Sequence, residues 1–109
     1  MISLLKRIKL SLAYKTYPVW TYDENDMIID NDLPAEWSND KQLDNAFMDI
    51  SDMYDLQFID NAVDFEYIGF KDDSLRESFI SKIQKAVEMI KKKNNNKYVI
   101  QNNIDISSL

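Results

Sequence analysis

The chain has 109 residues, of which 45% are apolar and 29% are charged, and its formal net charge is −6. This length and balance predict one globular domain, 1–109, and exclude wholesale disorder. Cysteine and histidine are both absent, which excludes disulfides, thiolate and imidazole metal ligands, and the side chains that most enzymes use as nucleophile or general base.

The first predicted element is an amphipathic helix over 2–14. Ile2, Leu5, Ile8 and Leu12 recur at spacings of three or four residues, which favours one apolar helical face. The bases within 6–9 interrupt the apolar run, so we interpret this segment as a helix of the domain and not as an export signal. No uncharged apolar stretch approaches the roughly 18 residues of a membrane span, and we expect a cytoplasmic protein.

The next elements are a β-hairpin and a helix. Residues 17–30 contain two β-branched and aromatic runs separated by the polar turn 23–26, which predicts a hairpin with a longer loop. The period of Leu43, Phe47 and Ile50 predicts a helix over 40–56, and Asp40 is the predicted N-cap.

The second half predicts a strand, a helix and a last strand. Val63, Phe65 and Tyr67 alternate with acids, which indicates a strand over 63–70. Ser74 and Glu77 have the spacing of a capping box and open a predicted helix over 74–93. Residues 97–101 are predicted as a last strand, and the tail from about 102 as loose. The fold class is therefore α+β, with a small, mostly antiparallel sheet packed against about three helices.

Charge is distributed unevenly along the chain. Residues 1–20 carry four bases and no acid, residues 21–75 carry sixteen acids and two bases, and residues 76–109 carry seven bases and three acids. Such a central segment projects a negative field, which favours a basic protein partner and disfavours nucleic acid.

The acids do not match a known catalytic or metal motif. A calcium loop needs glycine at its sixth position and glutamate at its twelfth; loops that start at Asp23 or Asp30 place Ile28 or Ala35 at the sixth. Two facing carboxylates perform glycoside hydrolysis, but sixteen acids produce such pairs by chance. The single glycine excludes the phosphate-binding loops of nucleotide enzymes. We therefore expect no enzyme activity, no metal and no cofactor.

Trp37 has two interpretations. It lies in a polar stretch outside every periodic stripe. It is either a loop residue that covers the edge of the core or an aromatic anchor for a partner, since tryptophan is enriched at binding hot spots.

Several stretches of the sequence resemble small bacterial immunity proteins, which are encoded beside polymorphic or contact-dependent toxins. The stretches are Tyr17–Trp20, Ile29–Pro34, Leu43, Tyr54–Asp55, Phe58–Asn61 and Phe65–Phe70. The resemblance covers roughly residues 1–100 and is a diffuse pattern without a short diagnostic motif. It implies that the partner is the C-terminal domain of a cognate toxin, often a basic nuclease, and that the chain blocks its active site or a site nearby.

We expect, on both grounds, a protein that neutralises a toxin by binding it. The alternative is a nucleic-acid mimic, such as a phage inhibitor of a host defence nuclease, and a small enzyme is the least supported class. The sequence leaves stoichiometry and oligomeric state open. The predicted partner contacts are Asp23, Glu24, Asp26, Asp30, Asp32, Trp37, Asp44, Asp52 and Asp55.

Overall fold

The computed structural model describes residues 6–60, 63–94 and 96–109. The strands are β1 (Arg7–Leu10), β2 (Val19–Tyr22), β3 (Ile28–Asp30), β4 (Phe58–Asp60), β5 (Phe65–Tyr67) and β6 (Val99–Asn102). The helices are α1 (Lys41–Asp55) and α2 (Asp73–Asn94), with short 3₁₀ turns at Ala35–Trp37 and Ile106–Ser108. The α+β class is confirmed, with two α-helices in the described part of the chain rather than three.

The main sheet has four strands in the order β3-β2-β1-β6. β1 and β2 are antiparallel, as are β2 and β3, whereas β1 and β6 are parallel. The predicted hairpin over 17–30 is therefore present as β2 and β3, and the last strand is present as β6. A register shift between Thr21 and Tyr22 leaves Ile29 of β3 without a paired residue, which is a β-bulge in β3.

β1 corrects the helix predicted over 2–14. Ile2 and Leu5 lie outside the described residues, but the segment from Arg7 to Leu10 is extended. Ile8 and Leu10 are completely buried, whereas Arg7 and Lys9 between them are partly exposed. This alternation has the period of a strand with one buried face. Because β1 is hydrogen-bonded on both sides, sheet pairing overrides the helical spacing of the longer segment.

Both helices pack on the face of the sheet that carries Ile8 and Leu10, and they form one core with it. The N-cap prediction for α1 is confirmed, because the Asp40 carboxylate accepts the N–H of Leu43 at 3.1 Å. α2 begins one residue earlier than predicted. The Asp72 carboxylate accepts the N–H of Ser74 at 2.8 Å, and the Asp72 carbonyl accepts the N–H of Arg76 at 3.1 Å.

A second sheet consists of β4 and β5 alone. The strand predicted over 63–70 is thus shorter, and it pairs with β4 instead of the main sheet, with Phe58 opposite Tyr67. β4 lies in a segment that the sequence analysis left without an element. Two strands of three residues are marginal by themselves, and ring contacts of Phe58 with Tyr14 and Tyr54, at centroid distances of 4.6 and 5.2 Å, attach them to the rest of the fold.

The C-terminal tail, expected to be loose, makes specific contacts. The Arg76 guanidinium of α2 donates to the carbonyls of Leu109 at 2.8 Å and of Ile106 at 3.3 Å. Ile104 and Leu109 are half-buried against the core. Neither α1 nor α2, nor any other helix within the described ranges, has the length and apolar character to cross a bilayer.

Candidate functional site

The strongest candidate site is the stretch 23–32, which we call the hairpin surface. It contains the β2–β3 turn, β3 and the two residues after it, with five carboxylates and no base. Met27, Ile28 and Ile29 lie between the carboxylates and are 65%, 58% and 53% exposed. Contiguous exposed apolar side chains are uncommon on soluble proteins and are typical of interaction surfaces. These three adjacent side chains form such a patch at the edge of the sheet.

Local hydrogen bonds hold several of these carboxylates in place. Asp23 accepts the N–H groups of Asn25 and Met27, both at 2.9 Å, and so shapes the turn. Asp26 adopts a positive φ of 63° and forms an ion pair with Arg7 at 3.3 Å.

At the other end of β3, two carboxylates bind the backbone next to them. Asp30 accepts the N–H of Asn31 at 2.8 Å, and Asp32 accepts the N–H of Leu33 at 2.7 Å. Each carboxylate keeps further acceptor sites for a partner, because one carboxylate has about four lone-pair positions.

Two shallow cavities flank β3. The first has a volume of about 370 Å³, and its wall includes Ile29, Asp30, Asp32 and Leu33. The second has a volume of about 390 Å³ and is lined by Lys9, Ser11, Trp20, Tyr22, Ile28 and Asn103. The hairpin surface therefore offers recesses and not only charge.

The structure gives Asp44 and Asp55 a different role. They lie on one face of α1 together with Ser51, opposite the loop between β1 and β2. Asp44 accepts the hydroxyl of Tyr17 at 2.8 Å, and Asp55 accepts the backbone N–H of Lys15 at 2.9 Å. Both carboxylates therefore fasten this loop to the helix, which sequence spacing does not reveal.

The remaining predicted contacts differ in their exposure. Glu24 and Asp52 are exposed, Glu24 in the hairpin surface and Asp52 on the outer side of α1. Trp37 is only 4% exposed, and its ring packs edge-on against Tyr98 at 5.2 Å. Its burial leaves almost no ring surface for a partner, so Trp37 belongs to the core and we drop it from the candidate contacts.

The basic ends of the chain neutralise only part of the central charge. Among the described residues, five of the sixteen acids in 21–75 form ion pairs with bases from those ends: Asp26, Glu36, Asp40, Asp49 and Asp60. Asp26 is the one predicted contact in that set. The carboxylates of the hairpin surface thus keep most of their negative charge.

Sequence reasoning missed the apolar half of this site. It predicted a strand over 27–30 but did not predict that the side chains of Met27, Ile28 and Ile29 are all exposed. A signal was present, since three consecutive apolar residues in a short strand cannot all face one core.

No cluster of acidic side chains within the described ranges has an arrangement that suits a metal ion. No protein-family model matches the chain, and no curated protein matches it.

Proposed function

We propose that this chain is an immunity protein, which binds the basic C-terminal domain of a cognate bacterial toxin in the cytoplasm and neutralises it. The observation that carries the proposal is the hairpin surface: five carboxylates and no base, around three exposed apolar side chains, in 23–32. The resemblance to immunity proteins supports a toxin domain as the partner. The negative charge of the hairpin surface supports a positively charged partner.

The two components of the surface support two different steps of binding. A negative field steers a cationic domain and raises the association rate, up to about 10⁸–10⁹ M⁻¹s⁻¹ at low salt. Rim charges add little to the lifetime of a complex, which depends on buried apolar contacts. Met27, Ile28 and Ile29 supply such contacts in the middle of the charged rim.

A toxin domain suits this surface because nucleases hold phosphate and are positive around their active sites. Covering that region with carboxylates places negative groups where the phosphates of the substrate bind. An immunity protein of this kind needs no catalytic group of its own.

The experiment uses the product of the gene directly upstream of this chain, which the proposal identifies as the toxin. We expect the purified chain to bind that protein, to abolish its activity, and to associate more slowly as salt is raised, because screening shortens the range of steering. Absence of both binding and inhibition overturns the proposed function. Binding of a host defence nuclease instead would point to the nucleic-acid mimic.

A matched pair of variants locates the charge. Neutralising Asp30→Asn together with Asp32→Asn should lower the association rate about tenfold at low salt, because rim charges act mainly on that rate. Glu77→Gln with Glu88→Gln removes the same charge from α2 and should change the rate little. Equal effects of the two pairs would show that net charge, and not the hairpin surface, controls association.

A further inference from the structure

Among the residues that the structure describes, β3 is the terminal strand at one edge of the main sheet. We propose that β3 accepts an added strand from the partner, and that this strand alternates basic and apolar side chains. The inference rests on the proposed function, because it specifies how the toxin domain docks on the same surface. Main-chain hydrogen bonds to an open edge provide affinity in such pairing, and pockets for alternate side chains provide specificity.

β3 is short and carries a bulge at Ile29, which limits the length of any added strand, but it has no lysine or proline to block pairing. Exposed sheet edges are commonly blocked by lysine, proline or an inward-pointing charge, and β3 carries instead Ile28 and Ile29, both more than half exposed. The residues around them are acidic. A second copy of this chain would bring the same carboxylates against them, so like charges oppose self-pairing while a basic strand is attracted.

The first cavity beside β3 fits a long basic side chain. Ile29, Leu33 and Pro34 provide an apolar wall for the aliphatic stem, and Asp30 and Asp32 provide carboxylates for its charged head. Lys6 also lines this cavity. Two carboxylates against one ammonium still leave a net negative charge for a partner cation.

The second cavity fits an apolar side chain. Trp20 and Tyr22 form an aromatic floor beside Ile28. Lys9 is already engaged there, because its ammonium lies 4.5 Å from the centre of the Tyr22 ring. Successive side chains of a strand point to opposite faces of a sheet, so a strand added to β3 directs one side chain to each cavity in turn.

The other edge of the main sheet fits this partner less well. β6 is that edge, and residues 97–103 around it contain one base, Lys97, and no acid. A basic strand gains no attraction there. β3 therefore suits an added basic strand better than β6, because it combines an edge position with nearby carboxylates and with a recess on each face.

The direct test uses a synthetic peptide of alternating lysine and valine, acetylated and amidated at its ends. We expect it to shift the backbone amide NMR signals of residues 27–32 and to slow their hydrogen exchange. Asp30→Asn with Asp32→Asn should weaken binding about fivefold, the range for two exposed charge pairs, and Glu77→Gln with Glu88→Gln less than about twofold. Shifts confined to other residues would overturn the inference.

Two control peptides separate strand pairing from charge attraction. A glutamate–valine peptide should not bind, and a lysine–valine peptide with a central proline should bind much more weakly, because proline removes a main-chain donor. Equal binding of the proline peptide would contradict pairing through the main chain. This control leaves the protein unaltered, so it does not depend on whether a proline variant at Ile29 still folds.

Hydrogen exchange on the complex with the upstream toxin domain distinguishes this inference from the proposed function. New protection at residues 27–31 supports strand addition. Inhibition of the toxin with new protection only elsewhere, for example in α1 or 56–60, overturns strand addition and leaves the function intact.

Peptide binding at β3 without any binding of the toxin supports strand addition and overturns the function. Protection of β3 that rises with the concentration of the free protein would identify a second copy as the occupant and overturn the inference.

Discussion

Tyr17 shows how one side chain joins three parts of the fold. Its hydroxyl donates to Asp44 of α1 at 2.8 Å, and its backbone N–H donates to the side-chain carbonyl of Asn31 at 2.9 Å. The Asn31 amide in turn donates to the carbonyls of Tyr17 and Val19. Burial raises the pKa of Tyr17 well above its ordinary value, and the hydrogen bond to Asp44 raises it further. Asn31 and Tyr17 therefore set the position from which the hairpin surface projects.

Removing the Tyr17 hydroxyl should lower the free energy of unfolding. Tyr17→Phe and Asp44→Asn should each destabilise the protein by about 1 kcal/mol, and a double-mutant cycle should give a coupling of about 0.5–1.5 kcal/mol. Urea denaturation measures all four proteins, and Tyr22→Phe, which removes a hydroxyl outside this network, is the control. A coupling near zero would mean that the bond contributes nothing in solution.

At the scale of elements, the central position of β1 organises the molecule. It pairs with β2 on one side and with β6 on the other, so it connects the hairpin surface to the C-terminal strand. Ile8 and Leu10 anchor the buried face, and the opposite face carries the bases that reach Asp26 and Tyr22. The two bases of β1 thus contact the hairpin on the sheet face opposite the core.

Substitutions in β1 should follow the strand period. Ile8→Ala should lower the free energy of unfolding by about 2–5 kcal/mol, because it leaves a cavity in the core. Lys9→Ala at the next position should cost no more than about 1 kcal/mol, the loss of one exposed cation–π contact. Denaturant unfolding of both variants provides the measurement. A larger loss for Lys9→Ala than for Ile8→Ala would contradict the assigned face of the strand.

At the scale of the whole molecule, stability should depend on pH at both extremes. Burial and the Glu36 carboxylate raise the pKa of Tyr98 to about 12. The hydrogen bonds from Tyr98 and Lys97 lower the pKa of Glu36 from its ordinary 4.5. A raised tyrosine pKa stabilises the fold fully below pH 10.0 and loses this effect as pH rises to about 12. A lowered carboxyl pKa stabilises the fold above pH 4.5 and loses this effect as pH falls.

The Tyr98–Glu36 pair therefore contributes to both limits. Tyr98→Phe should flatten the decline of the unfolding free energy between pH 10.0 and about 12, and it should also reduce the decline below pH 4.5. Urea denaturation across the pH range tests both slopes. Unchanged slopes in the variant would show that other groups control alkaline and acid unfolding.

Helix α1, the hairpin and the α+β class follow from the sequence, because short-range spacing determines them. Leu43, Phe47 and Ile50 define one helical face, and Asp40 supplies a local cap. The acidity of 23–32 is likewise a property of the sequence. The spacing within 2–14 fits a helix as well as a strand, so local information could not separate the two.

Tertiary structure decided which of these residues form a surface. Arg7–Leu10 forms a strand because it pairs with β2 on one side and with β6 on the other. Trp37 is buried against Tyr98. Tertiary structure also directed Asp44 and Asp55 to the β1–β2 loop. Within the described part of the chain, it placed β3 at the edge of the main sheet with Ile28 and Ile29 exposed. The physical reason is that burial and pairing depend on segments far apart in the chain, whereas composition and periodicity determine only what each segment is able to form.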